Sequence, residues 1–441
     1  MKNNRLLSTV FVLNAVIFFF QAMTKNVYPP LVIPFMEAFS IDKAQAGLLI
    51  TLVFMGYALA RFPSGILADR IGCTPTVYLG SLAMALSFFT VGLFPGYLST
   101  ALFTFVLGVS SGIYVTAGYT LAVILGTRSR AATATAVFES FGMVAGIISP
   151  ILVTLFIIHS SWQAIFFTQG MVLLAVTALF YGKRRYSSKL EGILENNTQY
   201  PYPEKTTHRI DQEGKLLEHA KKPLQLNLLW KETKASMVIF KDPQIRRFII
   251  WSTLVGGLGA ISWTGINSFI PTYLVEEKSY NYETANRMFA LVAISALATK
   301  IGVGWLADRF GTLRVLLSNL LLGIFLFFAF TLVVEHLLLL LILILLGATC
   351  LNTNTLINSY VLRLMPEKYQ GTGFGLFCTA YTIIYSCGPY ITGILSVSLG
   401  LTQAIRISSA GAVVAALLII FFTNKKAAPN QAASLYSELS R

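Results

Sequence analysis

The chain has 441 residues, of which 55% are hydrophobic and 12% charged, and its formal net charge is +14. A soluble domain carries about a quarter charged residues, so this chain has too little polar surface to cover a globule in water. A bilayer is the solvent that fits, and the positive charge then reads as basic loops on one membrane side rather than as a nucleic-acid surface.

From the N-terminus, Lys2 and Arg5 lead straight into the apolar run Val10–Phe20. No small-residue cleavage pattern follows, so this is expected to be a first span rather than a removed leader. Further apolar runs fall near 45–68, 75–94, 98–125, 131–158 and 162–182, after a first near 6–28. They resume near 247–274, 284–307, 313–334, 337–363, 369–398 and 401–423. A bilayer crossing takes roughly 20 apolar residues, and lipid leaves no partner for an open strand edge, so these read as twelve helices. The expected fold class is an all-α membrane protein built from two parallel six-helix repeats around a central cavity.

The expected units are an N-terminal six-helix bundle over 1–182, a linker over 183–246, a C-terminal bundle over 247–424 and a tail over 425–441. The linker is polar, begins Lys183-Arg184-Arg185, and contains a stretch, Leu224–Phe240, that reads either as an amphipathic surface helix or as solvated chain. Lys2, Arg5, Arg70, Arg128, Arg130, Arg309, Arg314, Arg363, Lys368, Lys425 and Lys426 fall on one side of the spans. Lys43, Lys278, Arg287 and Arg406 fall on the other. The richer side is expected to be cytoplasmic, with both termini on it, and the sequon at Asn196 would lie there unglycosylated.

The halves align with an offset near 239 residues. Arg61-Phe-Pro-Ser-Gly-Ile-Leu-Ala-Asp-Arg-Ile-Gly72 lies over Lys300-Ile-Gly-Val-Gly-Trp-Leu-Ala-Asp-Arg-Phe-Gly311, and Gly108, Phe138 and Pro150 lie over Gly347, Phe377 and Pro389. Duplicated six-helix units are a transporter architecture with the substrate site near the midplane. The stretch Gly65-Ile-Leu-Ala-Asp-Arg-Ile-Gly72 resembles the loop between helices 2 and 3 of the major facilitator superfamily. Gly304-Trp-Leu-Ala-Asp-Arg-Phe-Gly311 repeats it between helices 8 and 9. The resemblance covers the chain apart from the linker. It implies alternating access, a monomer, and a gating role for Gly65, Asp69, Arg70, Gly72, Gly304, Asp308, Arg309 and Gly311. Gly65 and Gly304 would allow close helix contact, Gly72 and Gly311 a tight turn. The first copy departs from the family after its second Gly, where Cys73-Thr74-Pro75 replaces the usual basic residues.

Ionisable residues inside spans are functional candidates. Lys25, Arg61, Glu139 and Lys300 are the clearest. Arg61 and Lys300 each precede a loop Asp by eight residues, which places them ~12 Å inside. Glu139 has a similar depth. In the family, helices 5 and 8 face each other, as do 2 and 11. That implies a Glu139–Lys300 pair and leaves Arg61 opposite Cys378, the repeat counterpart of Glu139. An unpartnered buried cation suits an anionic ligand, and the planar guanidinium suits carboxylate, nitrate or phosphate. Snorkelling to the surface is the plainer alternative for Arg61. Basic residues here also resemble those of nitrate and monocarboxylate porters, but the Gly- and Asn-rich nitrate signature is absent, which favours an organic anion.

Asn14, Gln21, Lys25 and Tyr28 share one helical face and are expected to line the cavity, although Lys25 reads equally as lying near the outer interface, since Pro29, Pro30 and Pro34 follow. Asn352 and Thr355 in span 10, Trp263 and Asn267 in span 7, and Tyr381 in span 11 are expected to line the cavity too. Glu139 is the candidate proton carrier if a proton drives transport. A drug–proton antiporter is the runner-up. Against it, span 4 carries no Arg, Pro150 follows Ser149 with no Gly pair after it, and intramembrane cations outnumber acids. A receptor without transport is disfavoured by the short linker. Cys73, Cys350, Cys378 and Cys387 lack metal spacing, and no phosphate loop or Ser-His-Asp arrangement is present. The expectation is therefore no enzyme activity, no metal and no cofactor. The expected partners are a small anionic solute and lipid, with no nucleic acid.

Overall fold

The computed structural model describes residues 2–125, 131–197, 243–365 and 370–426. Among them no strand occurs, and twelve helical segments are long and apolar enough to cross a bilayer. They are Ser8–Asn26, Lys43–Ala68, Cys73–Leu93, Tyr97–Leu125, Ala134–His159 and Trp162–Lys183, then Ile245–Glu276, Tyr282–Phe310, Thr312–Leu332, His336–Leu364, Gly373–Leu399 and Leu401–Phe421. We number them spans 1 to 12. The helix carrying span 6 runs on to Asn197, and the one carrying span 7 starts at Pro243. The stretch 224–240, together with Arg128, Arg130, Lys368 and the side chain of Asp69, lies outside the described residues.

The two halves repeat in detail. A Cβ at Gly108 would overlap the carbonyl oxygen of Val53, and one at Gly347 would overlap that of Val292. Both glycines and both carbonyls are related by the 239-residue offset. Spans 2 and 4, like spans 8 and 10, therefore approach backbone to backbone, the contact that small residues permit in lipid. Gly72 and Gly311 close the equivalent loops at φ 91° and 92°, a region glycine enters freely. By contrast, Gly65 has nothing nearer its Cβ position than a Thr116 methyl at 3.8 Å, and Gly304 has nothing within 4 Å. The close contact expected at those two loop glycines is made at Gly108 and Gly347 instead, and Gly304 lines a cavity between spans 8 and 10.

Several spans break. Span 1 stops at Asn26 and continues outward as Tyr28–Phe39, whose first turn holds Pro29 and Pro30. Proline lacks the N–H that would extend the ladder. Pro389 opens the second part of span 11, Gly388–Leu399. Span 10 is divided into His336–Cys350 and Thr353–Leu364. There the Asn352 amide donates to the Ala348 carbonyl at 2.8 Å, competing with the backbone ladder.

We call the face where the helices of spans 1 and 12 begin and end, at Lys2 and Lys426, the terminal face. On the opposite face the halves are sealed. Lys43 meets Glu276 at 2.9 Å, and the Tyr282 hydroxyl donates to the Pro30 carbonyl at 2.7 Å. Gly47 backs onto the Pro389 carbonyl, and a Cβ at Gly393 would lie 2.6 Å from the Lys43 carbonyl oxygen.

Candidate functional site

Two groups of ionisable residues face the boundary between the halves. In the first, Lys300 on span 8 meets Glu139 on span 5 at 2.5 Å. Each side chain keeps about a quarter to a third of its surface exposed, at 25% and 33%. The Tyr119 hydroxyl on span 4 donates to the other Glu139 oxygen at 3.4 Å. Phe18 and Phe138 pack around Tyr119, so the carboxylate has a polar front and an apolar back.

In the second group the Lys25 ammonium sits 3.9 Å from the centroid of the Tyr57 ring, and the Arg61 guanidinium 5.8 Å from the same centroid. A cation over a ring gains about 0.5–1 kcal/mol when exposed and about 2 or more when desolvated. Among the described residues no carboxylate lies within 4.0 Å of either cation. Across from Arg61, span 11 presents Cys378, Tyr381 and Tyr385. Tyr381 is buried and stacks on Phe377 at 5.0 Å. This group is therefore cationic, half-enclosed and without a fixed counter-ion.

The polar stripe of span 1 does not line the cavity as a unit. The Asn14 amide donates to the Gly118 carbonyl at 2.9 Å, the Gln21 amide to the Ser111 hydroxyl at 3.0 Å, and Tyr28 shares a hydrogen with Thr104 at 2.9 Å. Each step of seven along span 1 is matched by a step of seven back along span 4. The stripe is a seam between antiparallel helices, which lipid favours because it leaves no polar group unpaired. Lys25 alone leaves the seam, toward Tyr57.

Trp263 is likewise turned away from the boundary: it is buried and stacks on Phe327 of span 9 at 6.3 Å. Asn267 is half-buried, with no hydrogen bond to a described residue. Asn352 and Thr355 join Lys300, Gly304, Asp308, Ser359 and Arg363 around a cavity of about 130 Å³ between spans 8 and 10. Asp308 of the second gating loop pairs with Arg363 at 2.5 Å, and both are exposed. Arg309 lies 5.3 Å from the Trp305 ring. Tyr57 and Tyr119 escape notice in the sequence because neither is charged, although Tyr57, four residues before Arg61 on one helix face, is a readable neighbour.

Twelve spans in two halves related by the 239-residue offset, with ionisable groups at their boundary, are the architecture of a secondary transporter. The sequence matches the Major Facilitator Superfamily over residues 14–389, with a second match over 261–436. The chain belongs to that superfamily of transporters and is not an enzyme.

Among curated relatives, a probable hexose phosphate transport protein of Chlamydia muridarum is 20% identical over 273 residues, which is 60% of this chain and 57% of that protein. The glycerol-3-phosphate transporter of Bacillus subtilis is 22% identical over 289 residues, 63% of this chain and 60% of that protein. The matches thus span less than two thirds of those relatives' length. Among solved structures, a bacterial homologue of the human lysosomal transporter Spinster superposes with a TM-score of 0.69 at 15% identity, covering 94% of this chain and 96% of that one. The xylose transporter XylE from E. coli gives 0.68 at 12% identity, covering 94% and 99%. At such identities the likeness is one of fold.

Proposed function

We propose that the protein carries a small organic anion across the membrane by alternating access, with Lys25 and Arg61 holding the anionic group. The observation that carries this is the pair of cations sharing the Tyr57 ring with no carboxylate within 4.0 Å among the described residues. A half-buried cation that has lost part of its water gains from an anionic partner, and the ring is a weak one. Two cations suit a doubly charged group. A phosphate monoester, at about −1.5 to −2 near neutral pH, fits as well as a dicarboxylate. The relatives named for hexose phosphate and glycerol 3-phosphate support the phosphate ester.

In this reading Glu139 and Lys300 form the coupling pair, and a proton reaching Glu139 drives uptake by symport. The terminal face is cytoplasmic, because Arg309, Arg314, Arg363 and Lys426 of the described residues fall there. The membrane is the cell's inner membrane. The gating loops around Asp69 and Asp308 bias the two access states, and the two bundles, taken as 1–182 and 247–424, move relative to each other.

The test is uptake into proteoliposomes of labelled glycerol 3-phosphate, succinate, nitrate and tetraphenylphosphonium, with and without an inward proton gradient. The proposal expects one of the two organic anions to accumulate. Movement of tetraphenylphosphonium alone would instead establish an exporter of lipophilic cations, and movement of nitrate alone an inorganic anion porter.

A further inference from the structure

The cavity between spans 8 and 10 has a chemistry that the anion site does not use. At its inner end stands Lys300, bound to Glu139 at 2.5 Å. At its outer end stands the exposed Asp308–Arg363 pair on the terminal face. Between them lie Asn352, Thr355 and Ser359. Gly304 leaves the wall open, with no atom within 4 Å of its Cβ position.

The wall offers hydrogen-bond acceptors. The Asn352 amide nitrogen is used twice, toward Ala348 at 2.8 Å and Thr299 at 3.2 Å. Its carbonyl oxygen is buried and accepts from no protein group, in a residue 1% exposed. The Ser359 hydroxyl donates to the Leu356 carbonyl at 3.1 Å, so its lone pairs are what it offers the cavity. The Asn352 oxygen itself is closed to water in this conformation, so the polar residues that present surface to the cavity are Thr355, Ser359 and Lys300. About 130 Å³ is several times what one water requires.

We propose that this cavity holds a short chain of water that carries protons between the terminal face and Glu139, apart from the path of the anion. The inference rests on the reading of Glu139 as the coupling carboxylate. Lys300, which lines the cavity and bonds Glu139, passes an ammonium proton to the Glu139 carboxylate oxygen and takes one from a hydronium at the inner end, which becomes water. The Glu139–Lys300 ion pair breaks, and Lys300 stays an ammonium. One proton thus enters and one uncompensated cation appears at the boundary between the halves. The charged and titratable groups around Glu139 are Lys300 on span 8, Tyr119 on span 4 and, beyond Tyr119, Tyr57 and Arg61 on span 2. Span 1 packs Phe18 there.

The experiment reads the proton directly and needs no transported substrate. Infrared difference spectra after a pH jump, on the full chain in liposomes, report the protonated carboxyl band of Glu139. The band is assigned by its loss in Glu139→Gln. Thr355→Val removes a hydroxyl at constant shape, and Ser359→Leu fills the cavity. The expected result is at least a tenfold slower rise of the band in Ser359→Leu and a smaller slowing in Thr355→Val, with unchanged final amplitude. Thr355→Ser should restore the wild-type rate. Equal rates in all variants would show that protons do not pass along this cavity and would overturn the proposal. Absence of any Glu139 band over the accessible pH range would overturn it too. Failure of the anion reading would show separately, in the uptake assay.

Discussion

Lys300 and Glu139 join the two halves of the molecule through a 2.5 Å ion pair, and their repeat counterparts, Arg61 and Cys378, do not. The offset that maps Lys300 onto Arg61 maps Glu139 onto Cys378. The fold thus places a cation at both symmetry-related positions and supplies a carboxylate at only one. The missing carboxylate sits where a substrate anion is proposed to bind.

This asymmetry can be reversed by one substitution. Cys378→Glu should give Arg61 a resident counter-ion and lower the affinity for the transported anion by about tenfold or more, the equivalent of roughly 1.4 kcal/mol. Cys378→Ser, similar in size and uncharged, should bind as the wild type does. Isothermal titration of both variants separates loss of charge complementarity from loss of packing. Equal affinity in Cys378→Glu and Cys378→Ser would place the anion away from Arg61.

The seal on the opposite face depends on two glycines. A side chain at Gly47 would run into the Pro389 carbonyl, and one at Gly393 into the Lys43 carbonyl. Overpacking at such a contact costs about 1–3 kcal/mol, enough to shift two nearly balanced states by roughly 5- to 150-fold. Gly47→Leu should therefore favour the state open on the opposite face. Spin labels at Ala38→Cys and Ser398→Cys, with Cys73 and Cys387 replaced by Ser, should report a longer distance in that variant. An unchanged distance would mean that the seal adjusts around the added side chain.

One pH response is set outside the spans. Glu335 caps span 10, accepting from the Leu337 and Leu338 backbone N–H groups at 3.1 and 2.6 Å. Those bonds favour its charged form and hold its carboxyl below the ordinary value of 4.5. A carboxylate depressed in the folded state stabilises it above the unfolded value, and the contribution fades as pH falls through the folded one. Thermal midpoints of the wild type and Glu335→Gln should thus differ above pH 4.5 and converge below it. A constant difference across that window would show that the cap acts through shape alone.

Much of the fold is legible in the sequence because lipid narrows the choices. Twelve apolar runs, a 239-residue repeat and two Gly-Asp-Arg-Gly loops determine the count, the pairing of halves and the turns at Gly72 and Gly311. Helical rise gives Glu139 and Lys300 a matched depth, and their proximity follows only with the family resemblance, which implies that spans 5 and 8 face each other. What is not readable is the rotation of each helix. Gln21 and Lys25 stand one turn apart, yet Gln21 joins the seam with Ser111 while Lys25 reaches Tyr57. Trp263 and Asn267 are also one turn apart, yet Trp263 packs onto span 9. Periodicity identifies a polar face. Which neighbour satisfies that face depends on packing between spans distant in sequence.

The account rests most heavily on Arg61 and Lys25 as an anion site. The direct measurement is thermal stabilisation of the purified protein in detergent by organic phosphates and dicarboxylates, for the wild type, Lys25→Met and Arg61→Gln. A ligand of the folded state raises its apparent stability by mass action. The account predicts that one anion class stabilises the wild type, that each substitution weakens the effect and that the double variant abolishes it. Undiminished stabilisation of the double variant by the same anion would contradict it.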